Sequence, residues 1–264
     1  MNAALFQNGN NLDERIKTFK AIAGYEIDGV WYPRVTKIVE IKAKPALYHF
    51  YGEADSFAHG EEIKQKSAVE GTLIHETLEK ILIGEEPAIP ASISPALEEV
   101  QRFLNERSIT VDKNFVEKRI FHPEHRYAGT IDALAFIDGE LGILDIKTSQ
   151  SIYRDYNLQT AAYMAALTRE FPDLRTRWIL RVDQIRVCLK CRATLRAKGG
   201  RDKIRANGNR GNRCPDDKHE WSDLQGIVEL KEFPYWKSDF EAFLGAKKLW
   251  EWENEYWLKL AGYL

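Results

Sequence analysis

Apolar residues along this chain recur with two different periods, and the switches between them predict the order of elements. Residues 70–84, EGTLIHETLEKILIG, carry apolar side chains at 73, 74, 78, 81 and 82, the spacing of one helical face, and Gly84 supplies a stop. The stretch 94–107, SPALEEVQRFLNER, predicts a second helix with Ser94 as N-cap and Pro95 at the first helical position. Residues 154–171, the mixed run that ends at Lys66, and the aromatic-rich segment from Tyr235 onward also read as helical. Strand patterns occupy 114–121, NFVEKRIF, and 176–187, TRWILRVDQIRV. Asp28-Gly29 and Asp138-Gly139 lie between strand-like runs and predict hairpins over 25–41 and 129–149, because Asp and Gly tolerate the positive φ of a two-residue turn. These elements predict one mixed α/β domain spanning 1–264, with an antiparallel meander in its middle and helices around it.

The second hairpin carries charge where a strand normally carries apolar side chains. If Asp138-Gly139 is the loop, Ile137 pairs with Glu140, Phe136 with Leu141, Leu134 with Ile143 and Asp132 with Asp145. Alternation puts Asp132, Asp145 and Lys147 on one face, with the two carboxylate stems roughly 5 Å apart. Opposed like charges destabilise a sheet, so removing either one would relieve repulsion in the metal-free chain. A hard divalent cation between them satisfies both, since such ions take carboxylate oxygens. The plain alternative is a pair of solvated residues on an exposed face.

Composition narrows the setting. The chain has 264 residues, 44% of them hydrophobic, and a formal net charge of −2. No stretch approaches the roughly 20 apolar residues of a membrane span, and the first residues lack a charged-then-apolar leader. The expected location is the cytoplasm, or the host cytoplasm if the chain is phage-encoded, with no membrane partner. There is no global basic field, so any nucleic-acid binding must come from a local patch.

The three Cys all fall in one segment, which argues against a disulfide framework. Cys188 and Cys191 form C-x-x-C; Cys214 and His219 form a second pair. Three thiolates and one imidazole make a closed tetrahedral zinc set. Between the pairs lie Lys190, Arg192, Arg196, Lys198, Arg201, Lys203, Arg205, Arg210 and Arg213, against Asp202 alone. Residues 188–222 therefore read as a zinc-ribbon-like basic insertion, too rich in Gly and Asn to pack a core, whose Arg201, Lys203 and Arg205 would contact a phosphate backbone. A basic solvated loop without a partner is the alternative.

Several motifs in order now resemble the PD-(D/E)xK nucleases, in particular their RecB-like, exonuclease-like branch. YPRVTKIV at 32–39 is similar to the Pro-Ser-Val-Thr stretch of that family, with Arg34 in place of Ser; GTLIHETLE at 71–79 resembles its His-bearing helix. YAGTIDALA at 127–135 resembles the Gly-x-x-Asp strand, with Ile131 where a Pro often precedes the Asp, and GILDIKTS at 142–149 resembles the Asp-x-Lys strand. LQTAAYMAAL at 158–167 resembles the Gln-x-x-x-Tyr helix. The resemblance implies a restriction-endonuclease-like central mixed sheet, flanked by helices, with the hairpin as its active site. It implies that Asp132, Asp145, the Ile146 carbonyl and His75 hold Mg²⁺ or Mn²⁺, and that Lys147 orients or deprotonates the attacking water or stabilises the developing charge. Gln159 and Tyr163, four apart on one helical face, would flank the site and touch substrate. Glu117 is a further candidate for the acidic cluster, and Glu79, four residues after His75, a supporting one. Relatives with an iron–sulfur cluster use four Cys, which this chain does not have.

The expected function is a metal-dependent deoxyribonuclease, an exonuclease of recombination, repair or phage DNA metabolism. No P-loop is present, so unwinding would need a helicase or recombination protein as partner. The alternatives are a non-catalytic zinc-containing nucleic-acid-binding protein and a metalloprotein that uses the sheet site for structure.

Overall fold

The computed structural model describes residues 12–206, 214–215 and 218–264. Arg210 and Arg213 of the basic segment lie outside the described residues. Helix α1 (Leu12–Ala23) leads into the hairpin β1 (Gly24–Ile27) and β2 (Val30–Pro33), followed by a short helix α2 (Val35–Val39). Helices α3 (Pro45–Glu53), α4 (Phe57–Leu82) and α5 (Ser94–Glu106) come next. Three successive antiparallel strands follow: β3 (Ile109–His122), β4 (Tyr127–Ile137) and β5 (Glu140–Lys147). Helix α6 (Asp155–Leu167) crosses over to β6 (Thr176–Val187), which lies parallel to β5. The hairpin β7 (Thr194–Lys198) and β8 (Arg201–Arg205) precedes β9 (Gln225–Glu232), which returns antiparallel to β6; α7 (Lys237–Glu253) and α8 (Glu255–Leu260) follow.

The main sheet runs β3-β4-β5-β6-β7-β8, with β9 also paired to β6. It is a mixed sheet flanked by helices, and its β4–β5 hairpin carries the two carboxylates. Successive residues of its central strands enter different cores, Ile143 one and Leu144 the other. One core joins Ile143 and Leu134 to α1, α2, α6, α7 and α8 through Phe19, Ile38, Tyr163, Phe243 and Leu258. The other joins Leu144, Ile146 and Leu180 to α4 and α5 through Ile74, Leu78 and Leu97. A sheet buried on both faces explains why β4 and β5 read as nearly continuous apolar runs.

Both Asp-Gly turns form as expected, with φ of 51° and 75° at Asp28 and Gly29 and 52° and 88° at Asp138 and Gly139, the double positive φ of a type I′ turn. Three other local expectations change. The hairpin over 25–41 ends at Pro33: Val35, Ile38 and Val39 are buried together as one face of α2 rather than as a strand. In α5, Ile93 holds the capping position and Ser94 is already helical, its hydroxyl donating to Glu98 at 2.5 Å. Part of the basic segment is not loop but hairpin, turned by Gly199 and Gly200 at φ 65° and 78°. No described helix is long and apolar enough to cross a membrane.

Candidate active site and metal centres

Three neighbouring strands each deliver one carboxylate to the same place. In β3 a register shift follows Val111, and Glu117 then falls between Val116, paired with Ala133, and Lys118, paired with Ile131. That puts Glu117 across from Asp132, and its φ of 50° marks the irregular backbone there. On the other side the β4–β5 ladder runs in the expected register through Ala133–Leu144 and stops one pair short of Asp132 and Asp145. There the Asp132 side chain takes over, accepting a hydrogen bond from the Ile146 N–H at 2.5 Å. Through this amide Ile146 is joined to the site.

Helix α4 brings His75 over the strands. Its Nε2 lies 3.1 Å from Asp132 Oδ2, and its Nδ1 contacts Glu79 one turn on. Donor atoms of His75, Glu117 and Asp132 all lie within 4.8 Å of one another. Asp145 is not part of that group. It is fully buried, with Lys147 Nζ 2.7 Å from Oδ2 and Gln159 Nε2 donating to Oδ1 at 3.1 Å. The lysine contact is a close ion pair between buried groups and supplies the partner of Oδ2. Gln159 also donates to the Tyr163 hydroxyl at 3.1 Å, so the two helix residues are joined to the strand site rather than merely near it.

Charge is crowded here. Burial works against a charged His75, but Asp132 and Glu79 outweigh it and push its pKa up to about 10. Burial, Glu79 and Asp132 push Glu117 up to about 7. Burial pushes Asp145 up to about 6 against the pull of Lys147. Asp132 is also buried, yet His75 and Lys147 hold it below its ordinary value. Burial disfavours charge on Lys147, but Asp145 and Asp132 raise its pKa above the usual lysine value. Four carboxylates thus share a site with His75 and Lys147. Without a metal ion, His75 serves as the partner of Asp132 and Lys147 as that of Asp145. A divalent cation fits this donor set, and His75 would bind it through a neutral nitrogen.

Two further motif residues, Gly129 and Arg34, also have a geometric reason. A Cβ on Gly129 would collide with the Tyr163 ring, so only Gly lets Tyr163 pack against β4. Arg34, where the family motif has Ser, donates to the Ala21 carbonyl at 2.8 Å and the Gly24 carbonyl at 3.2 Å, and stacks on Tyr25. It ties the end of α1 to the first hairpin.

The second cluster lies between β6 and β9. Ligand atoms of Cys188, Cys191, Cys214 and His219 lie within 4.8 Å of one another. Cys188 Sγ is 3.9 Å from Cys214 Sγ, and Cys191 Sγ is 3.4 Å from His219 Nδ1. Burial opposes a Cys188 thiolate, but the Cys191 N–H and His219 pull its pKa down to about 5. Burial and the neighbouring sulfurs push Cys214 up to about 11. Thiols packed this closely cannot all ionise unless a cation lies among them, and this donor set suits a thiophilic metal.

The structure separates the basic residues that the sequence grouped together. Arg201 and Lys203 line a cleft of about 740 Å³ whose floor includes Lys147; Arg205 is exposed and is not among its lining residues. Arg196 and Lys198, adjacent in that hairpin, also reach this cleft. Their spacing of two, with the Gly-Gly turn behind them, was the available sign of a strand whose alternate side chains share a face.

The sequence matches no family model and no curated protein. Among solved structures, the crystal structure of LHK-Exo in complex with dAMP matches at 17% identity and a TM-score of 0.31, covering 76% of this chain and 89% of that chain. A likeness at that level is too low to say anything of fold or function.

Proposed function

We propose that this protein is a metal-dependent deoxyribonuclease of the PD-(D/E)xK type, an exonuclease of recombination, repair or phage DNA metabolism. The observation that carries this reading is the convergence of Asp132, Asp145 and Lys147 at the open end of one hairpin, with His75 and Glu117 against Asp132 and Gln159 against Asp145. Oxygen donors with one imidazole suit Mg²⁺, and the nitrogen favours Mn²⁺ somewhat more than an all-oxygen set does. His75, Asp132, Asp145 and the Ile146 carbonyl would hold the ion, with Glu117 as a further donor beside His75 and Asp132; such an ion when bound lowers the pKa of water and polarises a phosphoryl oxygen. Lys147, kept charged by Asp145, would orient water and stabilise the negative charge that builds on the phosphate. Gln159 fixes the Asp145 carboxylate, and Tyr163 fixes Gln159. The Cys188, Cys191, Cys214 and His219 cluster would hold a structural zinc that anchors the basic hairpin.

The test is cleavage of end-labelled DNA by purified protein with Mg²⁺ or Mn²⁺ added. Metal-dependent release of nucleotides, lost in Lys147→Ala, is expected. Intact DNA under all metal conditions, with binding retained, would leave a zinc-containing nucleic-acid-binding protein as the better reading.

A further inference from the structure

The cleft beside Lys147 has three walls. Helices α3 and α4 form one, the segment after β5 forms the floor, and the β7–β8 hairpin forms the third. Its lining includes seven lysines and arginines and no carboxylate. Four of the seven are paired with acids: Lys147 with Asp145, Arg196 with Asp183, Arg201 with Glu53 and Lys64 with Glu61. Lys44, Lys198 and Lys203 have no ion pair among the described residues. Among the described residues the cleft lining is therefore basic on balance, with Lys44 and Lys203 exposed and burial pulling Lys198 down to about 8.

Aromatic faces stand among these cations. Tyr153 is 40% exposed and meets Tyr156 edge-on at 5.9 Å. Phe50 lies on the opposite wall under the Arg201 guanidinium, 5.3 Å from its ring centre. Cations that follow a backbone and rings that accept bases together describe a single-strand channel. In a duplex the bases are already stacked on each other, so rings inside a cleft would have nothing to hold.

The dimensions agree. A volume of about 740 Å³ falls within the roughly 300–1,000 Å³ of small-ligand sites, enough for a nucleotide or two. The Arg201–Glu53 ion pair at 2.8 Å also ties the hairpin to α3 across the cleft. The hairpin is held at its tip as well. Lys198 and Arg196 donate to the Thr148 carbonyl, next to Lys147, and the Gly199 N–H donates to Glu70 of α4 at 3.0 Å. A Cβ on Gly199 would collide with Ser67 and the Ile63 carbonyl, so the hairpin tip lies directly on α4.

We propose that this cleft binds a single-stranded polynucleotide end, threading its phosphates past Lys44, Lys198 and Lys203 and a base onto Tyr153, so that the strand reaches Lys147 unpaired. The direction of threading rests on the nuclease reading; the binding does not.

The experiment measures binding by fluorescence anisotropy of the full-length, metal-replete protein without added Mg²⁺ or Mn²⁺. The probes are oligodeoxythymidylate, oligouridylate and a blunt self-complementary duplex. Tighter binding of the single strands than of the duplex is expected. Tyr153→Ala should weaken it by about tenfold or more, and Tyr153→Trp should restore it. Lys44→Glu with Lys203→Glu should weaken it and flatten its salt dependence. All three substitutions are on exposed positions, and circular dichroism checks that each variant folds. A preference between the thymidylate and uridylate probes assigns the channel to DNA or RNA and supports the proposal either way. Duplex bound as tightly as single strand, or single strand bound equally well by the Tyr153→Ala and double-lysine variants, would overturn it. Cleavage data keep the two readings apart. Single-strand binding without cleavage under added metal sinks only the nuclease reading, whereas duplex cleavage untouched by these variants sinks only the channel.

Discussion

The Asp132 carboxylate accepts a hydrogen bond from the Ile146 N–H at 2.5 Å, just beyond the last backbone pair of its hairpin, Ala133–Leu144. A side chain thus replaces the ladder where the two strands open to make room for the site. Asp132 thereby has two roles, one electrostatic and one structural, and the two can be separated by substitution.

Asp132→Asn retains an oxygen for the Ile146 amide and removes the charge. Asp132→Ala removes both and leaves a buried N–H unsatisfied, which costs about 1–3 kcal/mol. Urea unfolding of the metal-free proteins should therefore show the Ala variant clearly less stable and the Asn variant close to wild type, while both lose cleavage. Simple relief of repulsion between Asp132 and Asp145 would instead make the Ala variant the more stable one.

Lys147 is the cation within ion-pairing distance of Asp145. Lys147→Ala should lower single-turnover cleavage by about 10²–10³-fold, the usual cost of removing one group that stabilises transition-state charge. Its far-ultraviolet circular dichroism should match wild type, because β5 keeps its ladders to β4 and β6. Wild-type rates in the variant would remove Lys147 from the chemistry.

Gln159 joins Asp145 to Tyr163. Loss of such an orienting partner typically costs 10–100-fold in metal affinity or activity, so Gln159→Ala should raise the Mn²⁺ concentration for half-maximal cleavage by about that factor. Tyr163→Phe, which leaves the Gln159–Asp145 bond in place, should do less. Equal metal dependence in Gln159→Ala and wild type would make the glutamine a bystander.

Gly129 leaves room for the Tyr163 ring. Gly129→Ala should destabilise by about 1–3 kcal/mol through overpacking, seen as a lower melting temperature, and displace Gln159 along with the ring. An unchanged melting temperature would show that Tyr163 has slack.

Cys191→Ser removes one donor of the Cys188, Cys191, Cys214 and His219 set. Elemental analysis should find about one zinc in the wild-type protein and none in the variant. Amide exchange should quicken in β7 and β8, whose base at Cys188–Ala193 is packed around the cluster. The carboxylate site, built on other strands, should still bind Mn²⁺. Wild-type protein purified without chelators and containing no zinc would leave the cluster without its metal.

Much of this was legible in the sequence because it depends on local rules. Asp138-Gly139 sets a turn, the turn sets register, and register puts Asp132 and Asp145 on one face. A spacing of four places Gln159 beside Tyr163, and Cys and His spacing marks a candidate metal cluster. Periodicity located most helices and strands, since apolar faces follow the periods of their elements. It misread Val35–Val39 because a five-residue helix and a short buried strand look alike in composition.

Tertiary structure decided what depends on distant segments meeting. Glu117 faces Asp132 because of a register shift in β3 that no local turn residue announces. His75 lies over Asp132, and Glu79 on His75, because α4 packs its Ile74 and Leu78 into the core beneath β5. The basic segment seemed a loop by its glycines. Yet Gly199 and Gly200 turn a hairpin whose Lys198 and Arg196 reach the Thr148 carbonyl, 50 and 48 residues back along the chain. The sequence determined which acidic, basic and sulfur groups the candidate sites draw on; packing between remote elements decided which of them meet and which line a cleft, because burial and charge act across space and not along the chain.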